Sequence, residues 1–287
     1  MTHITMLGGD ARMVTVAHLL QAKGVSLCTY GLPPGTPGAT SDLFHALTGA
    51  RIVILPLPVT RDGNHPAAQH PPADWPTFDT LFARLEDEAL LLGGNVPPPL
   101  LEKAQANGVE FYDYYRSERL LRQNAHATAE AAVAMASLAL PVVLAGTPLG
   151  VVGYGRIGRD ITALLLAHGA RVTVYARSED ARRAAAEAGA RACPIPSEGI
   201  LPEGNLRAVF HTAPARLWTR AALSHLAPGT LLYDLSGGSV DETAAEEGGI
   251  LCPPGRGLPG RYAPESAGEY LCEAIGDEIR ARRAISL

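Results

Sequence analysis

Two glycine turns constrain the fold of this chain more than any other feature of its sequence. Residues 8–12 read Gly-Gly-Asp-Ala-Arg after the apolar run 4–7, and residues 153–158 read Gly-Tyr-Gly-Arg-Ile-Gly after the apolar run 149–152. An amphipathic segment follows each turn. A strand that passes through a glycine turn into a helix is typical of the βαβ units that build parallel sheets. The chain therefore has two starting points for such a sheet.

The rest of the sequence continues this alternation of apolar runs and helical patterns. Predicted strands span residues 3–7, 26–30, 51–55, 89–92, 109–112, 149–152, 171–175, 208–211, 231–234 and 250–252. Predicted helices span residues 13–23, 77–86, 100–106, 124–139 and 265–282, and Pro264 suits the first turn of the last one. The pattern predicts an α/β fold of two doubly wound parallel-sheet domains with a cleft between them.

The order of these elements also predicts the domain boundaries. Residues 1–123 form an N-terminal domain for substrate binding or association. Residues 124–263 comprise a linker helix and a nucleotide-binding domain. Residues 264–287 form a helix that returns to the first domain, so its removal is expected to destabilise the protein.

Composition excludes several classes of partner. The 287 residues carry a net charge of −5, which gives no basic surface for nucleic acid. We find no signal peptide and no apolar stretch near the ~20 residues that cross a bilayer. The four cysteines are scattered, as free thiols of a cytoplasmic protein would be. No metal site is expected, because the spacing of His65 and His70 in a proline-rich loop is poor evidence for one.

The second glycine turn has the spacing of a dinucleotide-binding fingerprint. Gly153, Gly155 and Gly158 form a G-x-G-x-x-G pattern between a predicted strand and a predicted helix, which is the context that this motif requires. Glycines at these positions allow a tight turn and let backbone N–H groups approach a pyrophosphate. The predicted cofactor site also includes the intervening residues Tyr154, Arg156 and Ile157.

The end of the next predicted strand favours NADP over NAD. An NAD site places an acid there to bind the ribose 2′-hydroxyl, whereas this chain has Arg177 and Ser178. A guanidinium and a hydroxyl suit a 2′-phosphate. Glu179 and Asp180 follow, and we interpret them as acids of the next helix's first turn.

Two later turns are further candidates for cofactor contact. Thr212, Ala213 and Pro214 follow the predicted strand 208–211, and Asp234 and Ser236 end or follow the strand 231–234. The first set is expected beside the adenine and ribose, and the second near the nicotinamide. Ordinary βα turns remain the alternative for both.

These features together resemble one family, the A-subunit of dipicolinate synthase, a distant relative of the D-2-hydroxyacid dehydrogenases. The matching residues, in chain order, are 8–12, Ile54, Leu55, Pro56, Thr60, Gly63, Asn124, Thr128, Glu130, 152–158, 176–178, 234–236 and 257–260, then Ala263 and Pro264. The resemblance adds Leu258 and Pro259 to the cofactor site. Ala127 and Ala131 depart from it, since the family has proline and glycine there.

The resemblance implies two Rossmann-like domains and a specific activity. The protein would oxidise the dihydrodipicolinate-level intermediate of the lysine pathway to dipicolinate, with NADP as cofactor. It would act during sporulation in the mother-cell cytoplasm, as a homo-oligomer that works with a flavoprotein-like second subunit.

A substrate with two carboxylates needs cations or N–H donors, and the first domain offers several. Arg12 is the first candidate for a carboxylate clamp, and a salt bridge to Asp10 is an equally good interpretation. Thr60 and Gly63 could add a hydroxyl and an N–H, or form a plain turn. The first glycine turn lacks a third glycine and carries Asp10, which would repel a pyrophosphate. We therefore expect it to help hold the dicarboxylate.

Proton transfer is assigned to Glu130, with Thr128 either orienting a substrate carboxylate or capping the helix. A structural ion pair is the alternative for Glu130. His126 has a side chain suited to acid–base chemistry, but the family motif places no histidine there. Two other functions stay open, a D-2-hydroxyacid dehydrogenase-like reductase and an NADPH-binding regulatory or scaffold subunit.

Overall fold

The computed structural model describes residues 3–195 and 205–283, and its fold consists of two compact units. One unit contains the chain up to Asn124 together with the chain from Ala263 onward, and the other spans Ala125–Tyr262. Each unit contains a five-stranded sheet with helices on both faces. Within the described ranges, every helix is too short or too polar to cross a bilayer.

The first unit has strand order β2-β1-β3-β4-β5, and all its strands run parallel. Its strands are β1 (His3–Leu7), β2 (Ser26–Tyr30), β3 (Ile52–Ile54), β4 (Leu90–Gly93) and β5 (Glu110–Asp113). Its helices are α1 (Ala11–Ala22), α2 (Leu43–Leu47), α3 (Phe78–Phe82), α4 (Pro98–Ala106), a 3₁₀ turn (Tyr114–Arg116) and the start of α5 (Glu118–Ala139). The chain changes direction across the sheet between β1 and β3, where doubly wound sheets bind ligands.

The second unit has strand order β10-β9-β6-β7-β8, again all parallel. Its strands are β6 (Pro148–Val152), β7 (Arg171–Ala176), β8 (Arg191–Pro194), β9 (Ala208–His211) and β10 (Leu231–Asp234). Its helices are the rest of α5, then α6 (Arg156–Ala167), α7 (Glu179–Glu187), α8 (Arg220–Leu223), α9 (Glu242–Glu247) and α10 (Leu258–Tyr262). The last helix, α11 (Pro264–Arg283), belongs to the first unit. Here the change of direction lies between β6 and β9.

Both sheets are buried on their two faces, which explains the apolar runs of the strands. In the first unit, Ile52 and Ile54 pack in one core with α1 and α11, while Val53 packs in a second core with α2, α3 and α4. The second unit repeats this arrangement with α5 and α6 on one face and α8 and α9 on the other. The predicted fold class, two doubly wound α/β domains, is confirmed.

The structure departs from the predicted elements in several places, and three of these differences have a clear physical reason. The strand predicted at 250–252 is only an isolated bridge between Leu231 and Leu251, because Pro253 and Pro254 follow and cannot donate to a ladder. Strand β8 was not predicted because its sequence lacks an apolar run; among the described strands it pairs with β7 alone. Helix α5 begins at Glu118, six residues before the predicted 124.

Helix α11 packs closely against α1 because Gly268 has no side chain. A Cβ added at Gly268 would lie 2.5 Å from the Cβ of Thr15 and 2.8 Å from the carbonyl oxygen of Arg12. Around this contact, Leu271 and Ile275 are buried in the core shared with α1. The residue at 268 therefore sets the distance between the two helices.

We predict that Gly268→Ala lowers the melting temperature of the full chain. The added methyl group must push α11 away from α1, and such overpacking costs about 1–3 kcal/mol. Gly276→Ala on the same helix is the matched control, since its Cβ would meet only the flexible end of Arg280, at 3.3 Å. The control should melt at or above the wild-type temperature, because alanine favours helix. Equal melting of the two variants in a thermal scan would contradict this account of the helix pair.

Candidate functional site

The three glycines of the second turn have different structural roles. Gly153 has φ +94°, and a Cβ there would lie 2.7 Å from Thr212 Oγ1. A Cβ at Gly158 would overlap the carbonyl oxygen of Gly153. Gly155 precedes α6, and a Cβ added to it would meet no protein atom within 4 Å. Packing thus requires Gly153 and Gly158, whereas Gly155 leaves open space at the start of α6.

That open space fits the pyrophosphate of a dinucleotide. The first N–H groups of a helix have no partner within it, and Gly155 provides no side-chain cap for them. Helix α6 has 12 residues, so its N-terminus carries the partial positive charge of a full helix dipole. The residues present therefore fit the cofactor predicted from the fingerprint.

Side chains within the second turn mostly support it. The Tyr154 hydroxyl donates to the carbonyl of Ala184 at 3.4 Å, and the Arg159 guanidinium carbon lies 5.4 Å from the centre of the Tyr154 ring. Ile157 packs against the core of the unit. Arg156 is exposed at the first position of α6 and is the charged side chain of this predicted set.

The end of β7 presents positive charge without an acid on the strand itself. Arg177 is exposed, and Ser178 accepts a hydrogen bond from Ala181 N at 3.2 Å, which leaves its hydroxyl proton free to donate. Arg182, a residue that sequence reasoning missed, donates to the carbonyls of Ala176 and Arg177. Its guanidinium therefore holds the turn in which Arg177 and Ser178 lie.

The turns after β9 and β10 reach the same edge of the sheet. The Thr212 hydroxyl donates to the carbonyl of Val152 at 3.0 Å, and Ala213 N would lie 3.1 Å from a Cβ at Gly153, so both residues pack on the second glycine turn. Pro214 is exposed beside them. The structure thus brings Thr212 and Ala213 together with the fingerprint, as the predicted site requires.

Asp234 organises its own turn. Its carboxylate accepts hydrogen bonds from Ser236 N and Oγ, Gly237 N and Ser239 N at 2.8–3.1 Å. Burial opposes ionisation, but the N–H groups of Ser239 and Gly237 outweigh it and hold the pKa of Asp234 below its usual value. The contacts of Asp234 and Ser236 are therefore those of an ordinary turn between a strand and the following helix, which was the alternative to a cofactor contact.

His211 at the end of β9 was missed as a functional candidate. It is 0% exposed, and neither ring nitrogen makes a well-formed hydrogen bond within the described residues. Its ring lies edge-on to Trp218, with the centroids 6.3 Å apart. Burial lowers the pKa of His211, and the negative charge of Asp234 opposes that effect only in part. The sequence signal that could have identified it is a histidine at the last position of an otherwise apolar strand.

Two residues added by the family resemblance lie in the core. Leu258 is 0% exposed and packs with the strands of the second unit, and Pro259 is also buried. Neither side chain is exposed to a ligand in this structure. Their side chains pack in the core, and their contact with the cofactor stays a prediction.

The predicted catalytic pair is separated on α5. Thr128 is buried, whereas the Glu130 side chain is 60% exposed, since residues two apart on a helix point to different faces. Glu130 instead lies 3.3 Å from His126 Nε2, and His126 Nδ1 lies 3.5 Å from Asp160 of α6. Thr128 is thus not placed to work beside Glu130, and His126 takes that position.

The first glycine turn is covered by protein. Gln69 N donates to the carbonyl of Gly9 at 3.0 Å, and a Cβ at Gly8 would lie 2.9 Å from the indole of Trp75. That indole stacks on Tyr30, with ring centres 5.6 Å apart. The proline- and histidine-rich loop after β3 therefore folds back over residues 8 and 9. Glycine is needed here to admit a tryptophan.

Asp10 and Arg12 are bound to each other. Asp10 caps α1 and accepts from Arg12 N at 3.1 Å, Nε at 2.9 Å and Nη2 at 2.8 Å. The same Nη2 also donates to the carbonyl of Leu57, and the Arg12 side chain is 7% exposed. The structure therefore shows the salt bridge that was the alternative to a carboxylate clamp, and we assign Arg12 to the turn.

Thr60 and Gly63 also bind each other. Gly63 N donates to Thr60 Oγ1 at 3.0 Å, and Asp62 accepts from Thr60 Oγ1, from the N–H groups of Asn64 and His65, and from the ring of His65. These hydrogen bonds form a closed turn, which is the plain-turn alternative. The loop borders an open pocket of about 400 Å³ that is lined mainly by proline and alanine, with Arg61 as its arginine.

We predict that His211 makes the stability of the second unit depend on pH. Folding lowers the pKa of His211. Below about pH 6.5 the unfolded chain therefore binds a proton at this residue more readily than the folded chain does, and the free energy of unfolding decreases as the pH falls. His211→Phe removes this loss. The free energy of unfolding of the wild type should fall between pH 6.5 and 5 more steeply than that of the variant, by up to about 1.4 kcal/mol per pH unit.

Chemical denaturation over this pH range measures the difference. Exposed His225 in the same unit supplies the control, because solvent contacts its ring in both states and His225→Phe should not flatten the curve. Parallel profiles for the wild type and His211→Phe would rule out this role for the buried imidazole.

Comparison with known proteins agrees with this division into units. Residues 3–115 match the family of dipicolinate synthase A-subunit N-terminal domains, and residues 114–244 match the NAD-binding domain of D-isomer specific 2-hydroxyacid dehydrogenases. The A-subunit of dipicolinate synthase from Bacillus subtilis (strain 168) is 24% identical over 281 residues, which cover 95% of this chain and 94% of that protein.

Solved structures share the fold. The dipicolinate synthase A-subunit from Bacillus halodurans superposes with a TM-score of 0.83 at 22% identity, over 97% of each chain. D-lactate dehydrogenase from Escherichia coli gives a TM-score of 0.69 at 13% identity, over 99% of this chain and 98% of that one. The predicted resemblance to the dipicolinate synthase A-subunit family, with a nucleotide-binding half similar to that of the D-2-hydroxyacid dehydrogenases, is thereby confirmed.

Proposed function

We propose that this protein is an NADP-dependent oxidoreductase that converts a dihydrodipicolinate-level intermediate into dipicolinate. The observation that carries the proposal is the open space at Gly155, at the start of α6, in a chain whose other domain matches the dipicolinate synthase A-subunit. Bound NADP⁺ would accept a hydride from the dihydropyridine ring, which becomes aromatic as it also loses a proton.

The choice of NADP rests on the end of β7. Arg177 is exposed, Ser178 has a hydroxyl proton to donate, and Arg182 fixes their turn through two backbone carbonyls. A 2′-phosphate gains charge-assisted hydrogen bonds from such a set. A ribose 2′-hydroxyl would lack the carboxylate that normally binds it in an NAD site.

We assign removal of the proton that the dihydropyridine ring loses to the group formed by Glu130, His126 and Asp160. A carboxylate on each side of an imidazole can orient it and stabilise its charged form. We keep Glu130 as the proposed base and add His126 as the group through which its proton can pass. His126 and Glu130 are exposed and Asp160 is half-buried beside them, so a substrate or water can reach the group.

Two assembly features accompany the proposal. The Bacillus subtilis relative is named as one of the subunits of its enzyme. We propose that this chain also works with a second subunit, flavoprotein-like as the family resemblance implies, and that it forms homo-oligomers. Because the second unit matches a hydroxyacid dehydrogenase domain, reduction of a 2-oxo acid is the second candidate activity.

Direct assay tests the proposal. Purified protein is mixed with enzymatically generated dihydrodipicolinate-level substrate and with NADP⁺ or NAD⁺, with and without the second subunit, and dipicolinate is followed by its ultraviolet absorbance. We expect product with NADP⁺ at a higher kcat/KM than with NAD⁺. No product under any condition, or turnover only of 2-oxo acids with NADPH, would contradict the proposed reaction.

The glycines of the second turn give a matched pair of variants. Gly155→Ala should lower the melting temperature only slightly, since its Cβ meets no protein atom and the cost is limited to alanine's poorer fit at the N-cap of α6. It should weaken NADPH binding by about tenfold or more, because the methyl group enters the space assigned to the pyrophosphate. Gly158→Ala should lower the melting temperature more strongly, because its Cβ overlaps a carbonyl oxygen.

NADPH fluorescence titration and a thermal scan separate these two effects. Unchanged NADPH affinity in a well-folded Gly155→Ala variant would show that the dinucleotide lies elsewhere.

A further inference from the structure

An arginine of the second unit reaches over the loop that Asp234 organises. The guanidinium of Arg256 lies directly against Gly237. A Cβ added at Gly237 would overlap it, so position 237 has no room for a side chain. Gly237 has φ +81°, a conformation that favours glycine. The segment between Cys252 and α10 and the loop after β10 therefore place one guanidinium at the carboxyl end of β10.

A cavity opens beside this guanidinium. It has a volume of about 430 Å³, and its lining includes Asp234, Gly237, Gly238, Glu242 and Arg256. That volume suits a small organic acid. Strand β10 is at one border of the sheet, and β7, with the proposed 2′-phosphate site, lies on the other side of the switch point. A dinucleotide that extends from β7 across β6 would bring its reactive end toward β9 and β10.

The charge of Arg256 has no partner in the described part of the chain. Its guanidinium forms no ion pair with a carboxylate of the described residues, although Asp234 and Glu242 line the same cavity. The Asp234 carboxylate is instead held by the N–H groups of its own turn. Arg256 is exposed and keeps its N–H donors available for an anion.

Arg12, the arginine of the first glycine turn, is not free for this task. Arg12 is buried against Asp10 and the carbonyl of Leu57, so its guanidinium would have to give up a salt bridge to bind a substrate. Arg256 needs no such exchange. A guanidinium binds a carboxylate with two parallel hydrogen bonds, which orients as well as attracts it.

We propose that Arg256 binds one carboxylate of the dicarboxylate substrate in the cavity at the carboxyl end of β10. The inference rests on the proposed function, and it names the residue that determines specificity for an acid. It predicts that loss of the Arg256 side chain weakens the binding of both substrate and product, while the binding of the cofactor is unchanged.

The test is isothermal titration of dipicolinate into the NADPH-saturated protein. Arg256→Gln should weaken dipicolinate at least tenfold and raise the KM of the substrate with a smaller effect on kcat, at unchanged melting temperature and NADPH affinity. Arg256→Lys should recover part of the affinity, because it keeps the charge but loses the paired hydrogen bonds. Arg207→Gln is the matched control, since it removes the same charge from the amino end of β9 and should change nothing.

Each other outcome overturns a defined statement. Normal dipicolinate affinity and KM in a folded Arg256→Gln variant overturn the inference and leave the proposed function standing. Loss of NADPH affinity in that variant also overturns it, and assigns Arg256 to the cofactor. Failure of the wild type both to bind dipicolinate and to produce it overturns the proposed function, and the inference with it.

Discussion

Close backbone approach at glycine is the constraint on which both halves of this protein depend. In the second unit, Gly158 lets the first turn of α6 lie against the carbonyl of Gly153, and this contact holds the turn in place. In the first unit, Gly8 lets the indole of Trp75 lie on the corresponding turn. The same residue type therefore has opposite consequences. The first turn is filled by the protein's own loop, whereas Gly155 leaves the second turn open.

The parts of the fold that sequence predicted are those encoded by local patterns. Most strands are continuous apolar runs because both faces of each sheet are covered, and the fingerprint glycines are required by the turn itself. Strand β8 escaped prediction because a border strand needs no such run. The start of α5 escaped because Ser117, whose hydroxyl accepts from Leu120 N, caps the helix before the apolar pattern begins.

The candidate site was less predictable, because side-chain partners are set by contacts between distant segments. Arg12 is a residue type suited to binding a substrate carboxylate. Only the fold shows that its guanidinium already donates a hydrogen bond to the carbonyl oxygen of Leu57. Thr128 and Glu130 are neighbours in a motif yet lie on different faces of α5. Arg256, beside the Gly-Leu-Pro-Gly loop, is a reserve candidate from sequence alone, but only the fold shows that it covers Gly237 of a different loop.

The central claim is that one glycine turn binds the dinucleotide and the other does not. A crystal structure of the protein with NADP⁺ tests it most directly. We predict that the pyrophosphate lies at the start of α6 beside Gly155, with the 2′-phosphate hydrogen-bonded to Arg177 and Ser178. A nucleotide bound at residues 8–12, or a 2′-phosphate that touches neither Arg177 nor Ser178, would contradict the account.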